Sequence, residues 1–403
     1  IQKSSSLWHA LGDVCRRGTV GVRLYLDHDA TAESTWVGTP SFAEVAAQIR
    51  QAQAREGAAL EQVVPNTIRL LYQEGSYAEL GVTYTDPSQS GDGANLAAIG
   101  IPLTYPGNTG DIFESSWQVS GAWKADINDR LSYAILLDQP LAANTDYGAG
   151  SFPGGVPPAG FSYQGSYADL ATYQISAVLA YDVRPDVKLF GGLRGQRLKA
   201  SAGIPLFQGY DVDADAKWGF GFLAGAAYER PDVALRVALT YFSRISYELD
   251  TAESTTAGGT TDTQNTQTDV DTPQSVSLDF QTGVAPDTLI FGSIRWVDWS
   301  EFAIEPPVYA ALTQAITGAP RPLVEYADDW WTYSLGMGHQ FTETLAGSLS
   351  VTYEPDVGGV MTVMIQRNTT ACDSRLTLPM TQRSWLNFGG NQDRTRAPSR
   401  SEE

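Results

Sequence analysis

Between Tyr77 and Tyr353 the sequence alternates apolar and polar residues in successive segments of about ten, and this period of two limits the chain to strands with one apolar and one polar face. The longest example runs from Val233 to Leu249. One face carries Val233, Leu235, Val237, Leu239, Tyr241, Ile245 and Tyr247, while the charges Arg236, Arg244 and Glu248 fall on the other. The same pattern holds at Trp117, Val119 and Trp123 against Gln118, Ser120 and Lys124, and at Tyr173, Ile175, Leu179 and Tyr181 against Thr172, Gln174 and Ser176. It returns at Trp218, Phe220 and Phe222, at Val276, Leu278 and Phe280, at Trp331, Tyr333, Leu335 and Met337, and at Leu345, Leu349, Val351 and Tyr353. About eleven strands are legible in this way, with Arg383-Ser-Trp-Leu-Asn-Phe388 as the remnant of a twelfth.

The connections alternate as well. Short turns at Asp126-Ile-Asn-Asp129, Arg184-Pro-Asp186, Arg230-Pro-Asp232 and Ala285-Pro-Asp287 are interleaved with long polar loops near 139–170, 200–216, 250–273 and 300–329. That is the pattern of an all-β, antiparallel up-and-down barrel spanning an outer membrane. Trp117, Trp218, Trp296, Trp299, Trp330 and Trp331, near segment ends, are expected to form its aromatic girdles. A soluble barrel or sandwich also alternates, but would have to hide the many outward aromatic and aliphatic residues that lipid accepts.

Other classes fall away on composition. With 26 Lys plus Arg against 46 Asp plus Glu, the net charge of −20 argues against nucleic acid as a partner. No apolar run approaches the ~18 to 20 residues of a membrane-spanning helix. Cys15 and Cys372 are too few and too far apart for a disulfide framework or a metal centre. No metal or cofactor is expected.

Three segments follow. Residues 1–64 stand outside the strand pattern and contain a helix signal from Ser41 to Arg55, with Ser41 and Glu44 in capping-box spacing; they are an atypical N-terminal segment, a plug remnant. Residues 65–358 are the barrel, and 359–403 a divergent tail expected to be disordered. Ile1-Gln-Lys-Ser-Ser-Ser6 has no signal-peptide pattern, so the sequence is expected to be a mature form or to lack its true start.

At residues 65–358 the chain resembles the FadL/TodX outer-membrane transporters of long-chain fatty acids and other hydrophobic compounds. The likeness rests on Glu74-Gly-Ser-Tyr-Ala-Glu-Leu-Gly-Val-Thr-Tyr-Thr-Asp-Pro87, similar to the family's first strand, and Asp129 to Tyr147, similar to its third. Trp218-Gly-Phe-Gly-Phe222, Ala238 to Ile245 and Trp296-Val-Asp-Trp-Ser-Glu-Phe302 add to it in matching order. The resemblance implies a fourteen-stranded barrel in the outer membrane of a Gram-negative bacterium, plugged at its N-terminus, that takes up hydrophobic molecules passively and releases them sideways at a kink in strand three. On this chain the kink falls at Asp138, Gln139, Pro140 and Asn144, and Pro140, with no amide hydrogen, independently breaks a ladder. The family's Asn-Pro-Ala hatch element is absent from residues 1–64.

A fatty acid needs an apolar groove and a few groups for its carboxylate. Strand parity offers Arg194, Arg236, Arg244 and Arg295 as lumen candidates, and the resemblance adds Arg197, on the opposite parity from Arg194. Phe113, Phe161, Tyr163, Phe207 and Tyr210, in or beside long loops, are expected to line a capture groove. Where the family often has a second basic residue, this chain has Ala303-Ile-Glu-Pro-Pro307, which favours a neutral cargo. His9, His28 and His339 find no serine and acid in triad order, so the chain is not expected to be an enzyme. The expected partners are a long-chain fatty acid or other hydrophobic small molecule and the outer-membrane lipid, with the chain a monomer. The alternative is an adhesin or structural barrel binding a partner through acidic loops such as Thr255 to Thr272.

Overall fold

The computed structural model describes residues 20–27, 70–71, 75–85, 114–148, 165–205, 207–326, 328–342, 345–354, 360–369 and 372–378. Its strands are β1 (Val20–Asp27), β2 (Tyr77–Thr85), β3 (Ser116–Asn128), β4 (Leu131–Asp138), β5 (Ala142–Asp146), β6 (Tyr167–Arg184), β7 (Val187–Ile204), β8 (Tyr210–Arg230), β9 (Leu235–Phe242), β10 (Ile245–Ala257), β11 (Thr260–Thr272), β12 (Ser275–Ala285) and β13 (Thr288–Val297). After them come β14 (Ala303–Ile304), helix α1 (Pro307–Thr317), β15 (Val324–Glu325), β16 (Trp330–Thr342), β17 (Leu345–Glu354), β18 (Val360–Thr369) and β19 (Cys372–Leu378). β14 and β15 pair with each other, and the other seventeen strands form one sheet with antiparallel ladders.

Three spans of this wall are interrupted: β4 and β5 both pair with β6, β9 and β10 both pair with β8, and β12 and β11 continue one register along β9 and β10. Counting each interrupted span once, the described residues form fourteen spans, more than the eleven or twelve that alternation reveals. β1 belongs to residues 1–64, and β18 and β19 to 359–403, so the ladder runs past both expected limits of the barrel. Val20-Gly-Val-Arg-Leu-Tyr-Leu-Asp27 does alternate, but it stands far from the next strand in sequence and lacks a hairpin signal. The helix signal at Ser41 to Arg55 and the segment Arg383 to Phe388 lie outside the described residues.

The outer face of the wall carries an apolar band. Tyr173, Ile175, Leu179 and Tyr181 of β6, Leu193 of β7, Trp218, Phe220 and Phe222 of β8 and Trp331, Tyr333, Leu335 and Met337 of β16 are all exposed, Leu193 at 74% and Phe220 at 76%. Their partners across the pleat, such as Gln174, Ser176, Gln196, Ser334 and Ser350, are buried toward the lumen. Tyr173 to Tyr181 covers about 26 Å of strand at about 3.3 Å per residue, and a barrel tilt brings this near the ~25 Å apolar band of outer-membrane barrels. Beyond the band, away from the short turns, the polarity inverts: Asp213, Asp215, Glu248, Asp250 and Asp269 face out while Val212, Leu249 and Val270 face in. That is wall standing in water around an apolar interior.

Two expected loops are therefore strand. Residues 200–216 are largely the ends of β7 and β8, and 250–273 is largely the β10–β11 hairpin. Its turn is Gly258-Gly259, both at positive φ, a conformation glycine adopts without steric cost. The threonine-rich flanks read as a solvated loop in sequence but have high strand propensity.

At the short-turn end part of the chain lies inside the wall. Leu70 and Leu71, a helical turn just before β2, are buried against Leu136, Val178, Phe190, Leu223 and Phe242. Lys188 donates to the Leu71 carbonyl at 2.9 Å and Lys124 to that of Gly75 at 3.2 Å, which anchors this segment to the inner wall.

Candidate functional site

Reversals of pleat at the outer edge of the apolar band build the site. A bulge changes which face a residue occupies, because one extra residue shifts a period of two. Between β4 and β5 the residues Gln139 and Pro140 stand opposite the single residue Tyr173, since Asp138 pairs with Gln174, Thr172 is bonded to Leu141, and Ala171 pairs with Ala142. The even residues of β4 face the lumen up to Asp138; past the bulge, Leu141 and Ala143 do. The kink expected at Asp138 to Asn144 is thus a bulge centred on Pro140.

On the other side of the same span the wall is incompletely paired. The β3–β4 ladder ends at Gly121 opposite Leu137. Beyond that pair no further ladder joins β3 to β5 among the described residues; Val119 N donates to the Gln139 side chain at 3.2 Å and Glu114 N to the Asn144 carbonyl at 3.2 Å.

Just inside this break a buried polar row crosses the lumen wall. Gln174 Nε2 donates to Asp138 Oδ1 at 3.1 Å, and Arg194 donates from Nε and Nη2 to Gln174 Oε1 at 3.2 and 2.9 Å and from Nη1 to the Ser243 carbonyl at 3.2 Å. Gln196 Nε2 reaches Gln174 Oε1 at 3.3 Å, and the Tyr247 hydroxyl donates to Gln196 Oε1 at 2.7 Å. The guanidinium also lies 5.2 Å over the Phe242 ring.

Outward of the row lies a packed apolar cluster, here called the chamber. Leu141, Leu170, Leu198, Ile245, Leu249 and Val270 from the wall close on Trp299 and Phe302, with Tyr326 and Trp330 packed against them. Trp299 is fully buried, its ring centroid 4.8 Å from Tyr326, 5.3 Å from Phe302 and 6.2 Å from Trp330. Its indole Nε1 has no hydrogen-bond partner among the described residues, so an N–H donor is available inside an apolar space.

The chamber has a roof. Helix α1 is held down by Glu253, a fully buried carboxylate that accepts from Val308 N at 3.0 Å and Tyr309 N at 3.1 Å, both in the helix's first turn. An anion there satisfies N–H groups that the helix cannot pair internally. Tyr210 donates to the same carboxylate at 2.8 Å and Thr266 at 2.5 Å. Burial, and next the bond to Glu253, push the Tyr210 hydroxyl far above the usual phenol range.

The residues expected at the site are distributed unequally. Arg194 is in the polar row, whereas Arg197 is exposed on the outer face opposite Trp218. Arg236 faces the lumen but pairs with Glu229 at 2.7 Å near the short turns, far below the row. Arg244 stands at the rim between Asp271 (3.3 Å) and Asp298 (3.5 Å), and Arg295 is buried beside Ser275 at 3.3 Å. Phe207 packs edge-on against Tyr309 at 5.7 Å in the roof, next to Tyr210, and does not reach the chamber. Phe113, Phe161 and Tyr163 lie outside the described residues. Trp299 and Trp330, expected in the girdles, belong to the chamber: Trp299 follows the end of β13, where alternation no longer predicts direction, and Trp330 opens β16 on the face opposite exposed Trp331.

Sequence reasoning missed Gln174, Gln196, Tyr247, Glu253 and the role of Trp299. Only Trp299 carried a signal, in Trp296-Val-Asp-Trp-Ser-Glu-Phe302; a buried Gln or Glu on a polar strand face looks like any other lumen residue.

A family model described as "Outer membrane protein transport protein (OMPP1/FadL/TodX)" matches residues 47–357. Among solved structures the chain is similar to the Pseudomonas putida toluene transporter TodX (TM-score 0.52, 12% identity, 77% of this chain and 86% of that one). It is also similar to the Ralstonia pickettii toluene transporter TbuX (TM-score 0.51, 13% identity, 79% and 84%). The comparison with curated proteins finds no sequence match.

Proposed function

Because the chain belongs to the OMPP1/FadL/TodX family of outer-membrane transport proteins, we propose that it takes up hydrophobic small molecules through the roofed chamber and releases them sideways at the β4–β5 bulge. It is a β-barrel transporter of the Gram-negative outer membrane, not an enzyme. The single observation behind the route is that Leu141 belongs both to the chamber lining and to the interrupted span, so the apolar path and the break in the wall meet at one residue. Flow follows the cargo's own gradient, with no phosphate-binding motif in the chain to couple it to energy.

The sequence points most specifically to a long-chain fatty acid as cargo. The site leans toward a neutral one: Arg194, the cation of the row, already donates to Gln174 and Ser243, and Asp138 stands behind Gln174, so an incoming carboxylate would displace existing bonds and meet a nearby acid. The chamber is mainly aromatic and aliphatic, with the Trp299 N–H as its spare donor. TodX and TbuX, which share the fold, are named for toluene.

Tryptophan fluorescence of the detergent-folded protein, titrated separately with toluene and oleate, separates the cargoes. Saturable toluene binding that survives Arg194→Gln supports the neutral reading; saturable oleate binding lost in that variant restores the fatty acid. Binding of neither overturns uptake. For the route, a disulfide between Val119→Cys and Gln139→Cys is expected to slow uptake until reductant is added, and uptake unaffected by the crosslink would rule out this exit.

A further inference from the structure

The wall has a second unpaired stretch. β8 is bonded to β9 up to Leu223 opposite Phe242, with Ser243 N reaching the Phe222 carbonyl one step further, and to β10 only from Ala214 opposite Thr251. Both ladders keep one register, yet between them no pair forms. The cause is pleat phase. β10 has reversed its face at Ser243-Arg244, so Ile245, Tyr247 and Leu249 point inward, while β8 reverses only at its bulge near Asp215-Ala216, so Gly219 and Gly221 still point inward. In the common register each inward residue of one strand then faces an outward residue of the other, and antiparallel pairing cannot be made.

The slot is filled by side chains. A Cβ on Gly219 would stand 2.5 Å from Ile245 Cγ2 and 2.7 Å from Tyr247 Cε1, and one on Gly221 2.8 Å from Ile245 Cγ1. Glycine at both positions lets Ile245 and Tyr247 lie directly on the β8 backbone. On the lipid side the slot is flanked by exposed Trp218, Phe220 and Phe222, and on the lumen side Ile245 and Tyr247 are chamber residues. The slot is level with the first break, since Asp138, Gln174, Gln196 and Gly219 are successive partners across β4, β6, β7 and β8. The hydrogen bonds Asp138–Gln174–Gln196–Tyr247 run from one break to the other.

We propose that this slot is a second lateral portal for neutral hydrophobic molecules between chamber and lipid, closed by Ile245 and Tyr247 acting as a stopper. The inference rests on the uptake reading above. The test uses intact Gram-negative cells carrying the full chain with the Val119→Cys and Gln139→Cys crosslink, and follows the rise in fluorescence of N-phenyl-1-naphthylamine as it enters membrane. The crosslinked protein with Ile245→Ala and Tyr247→Ala is expected to take up the probe several-fold faster than the crosslinked parent, with entry of a water-soluble tracer unchanged. Ile245→Val, a milder change, is expected to give an intermediate rate. Rates equal to the crosslinked parent in Ile245→Val and in the double variant, each shown folded by its heat-modifiable gel shift, overturn the portal. Equal acceleration of probe and tracer overturns it too, in favour of a wider lumen. No probe uptake by the uncrosslinked protein instead overturns the transport reading, and the portal with it.

Discussion

Arg194 and Arg197 stand three residues apart on β7, and parity alone separates their fates. Removing Arg194 takes its donor from the Ser243 carbonyl and leaves Gln174 Oε1 only the 3.3 Å bond from Gln196, in a buried row. Arg194→Ala is therefore expected to destabilise the folded barrel by about 2 to 4 kcal/mol, while Arg197→Ala, on the exposed face, changes it by less than about 0.5 kcal/mol. Urea midpoints of the two variants in detergent, read by heat-modifiable mobility, check the contrast. At the rim, burial pushes the Asp329 carboxyl up, but hydrogen bonds from Ser300 and Trp296 outweigh it and hold the group below the usual carboxylate range. A depressed value stabilises the fold above the unfolded carboxylate range near ~4 and is lost as pH falls through the folded value. The stability gap between the parent and Asp329→Asn is thus expected at neutral pH and to close in acid, and thermal unfolding followed across pH would show it. A gap independent of pH would refute the assignment.

Among the elements, the roof depends on one carboxylate. Glu253 joins β10, β11 and β8 to the first turn of α1, whose Pro306 N-cap provides no side-chain cap. Glu253→Ala leaves those N–H groups without their buried acceptor, at a cost of about 1 to 3 kcal/mol each. The loss should appear as local opening, because α1 belongs to a loop and not to the wall. Limited proteolysis between Pro307 and Leu323 is expected to quicken in the folded variant while the barrel keeps its gel shift; unchanged cleavage would mean that α1 is held by other contacts. The stretch Thr255 to Thr272, expected as an acidic partner-binding loop, is instead most of a hairpin whose base is part of the same latch, and the family match does not favour that alternative.

For the molecule as a whole, the apolar band fixes where the chain lies in lipid. Leu193, exposed in mid-band on β7 opposite Ala177, and Asp213, exposed above the band on β8, are both outward wall residues. Leu193→Arg is expected to cost about 2 to 4 kcal/mol in a bilayer and Asp213→Arg close to none. Equilibrium folding into lipid vesicles measures both, and equal costs would displace the band. Within the barrel, Leu70 and Leu71 are buried against the wall at the short-turn end, while the apolar cluster around Trp299 occupies the other.

Alternation in the sequence determines strands and their outward lipid face, and turn residues determine the short turns, because each depends on neighbours in the chain: a period of two, a turn dipeptide. It also misled at Val233 to Leu249, which reads as one uniform strand and is two, β9 and β10, with opposite inward faces. Nothing local marks Ser243-Arg244 as a reversal. It shows only in the assembled wall, where it sets whether Ile245 and Tyr247 meet lipid or the chamber. The same holds for Arg194 over Arg197, for Trp299 inside and not in a girdle, and for Glu253 under a helix more than fifty residues away in sequence. Those assignments arise from pairings between distant strands, and only the assembled wall contains them.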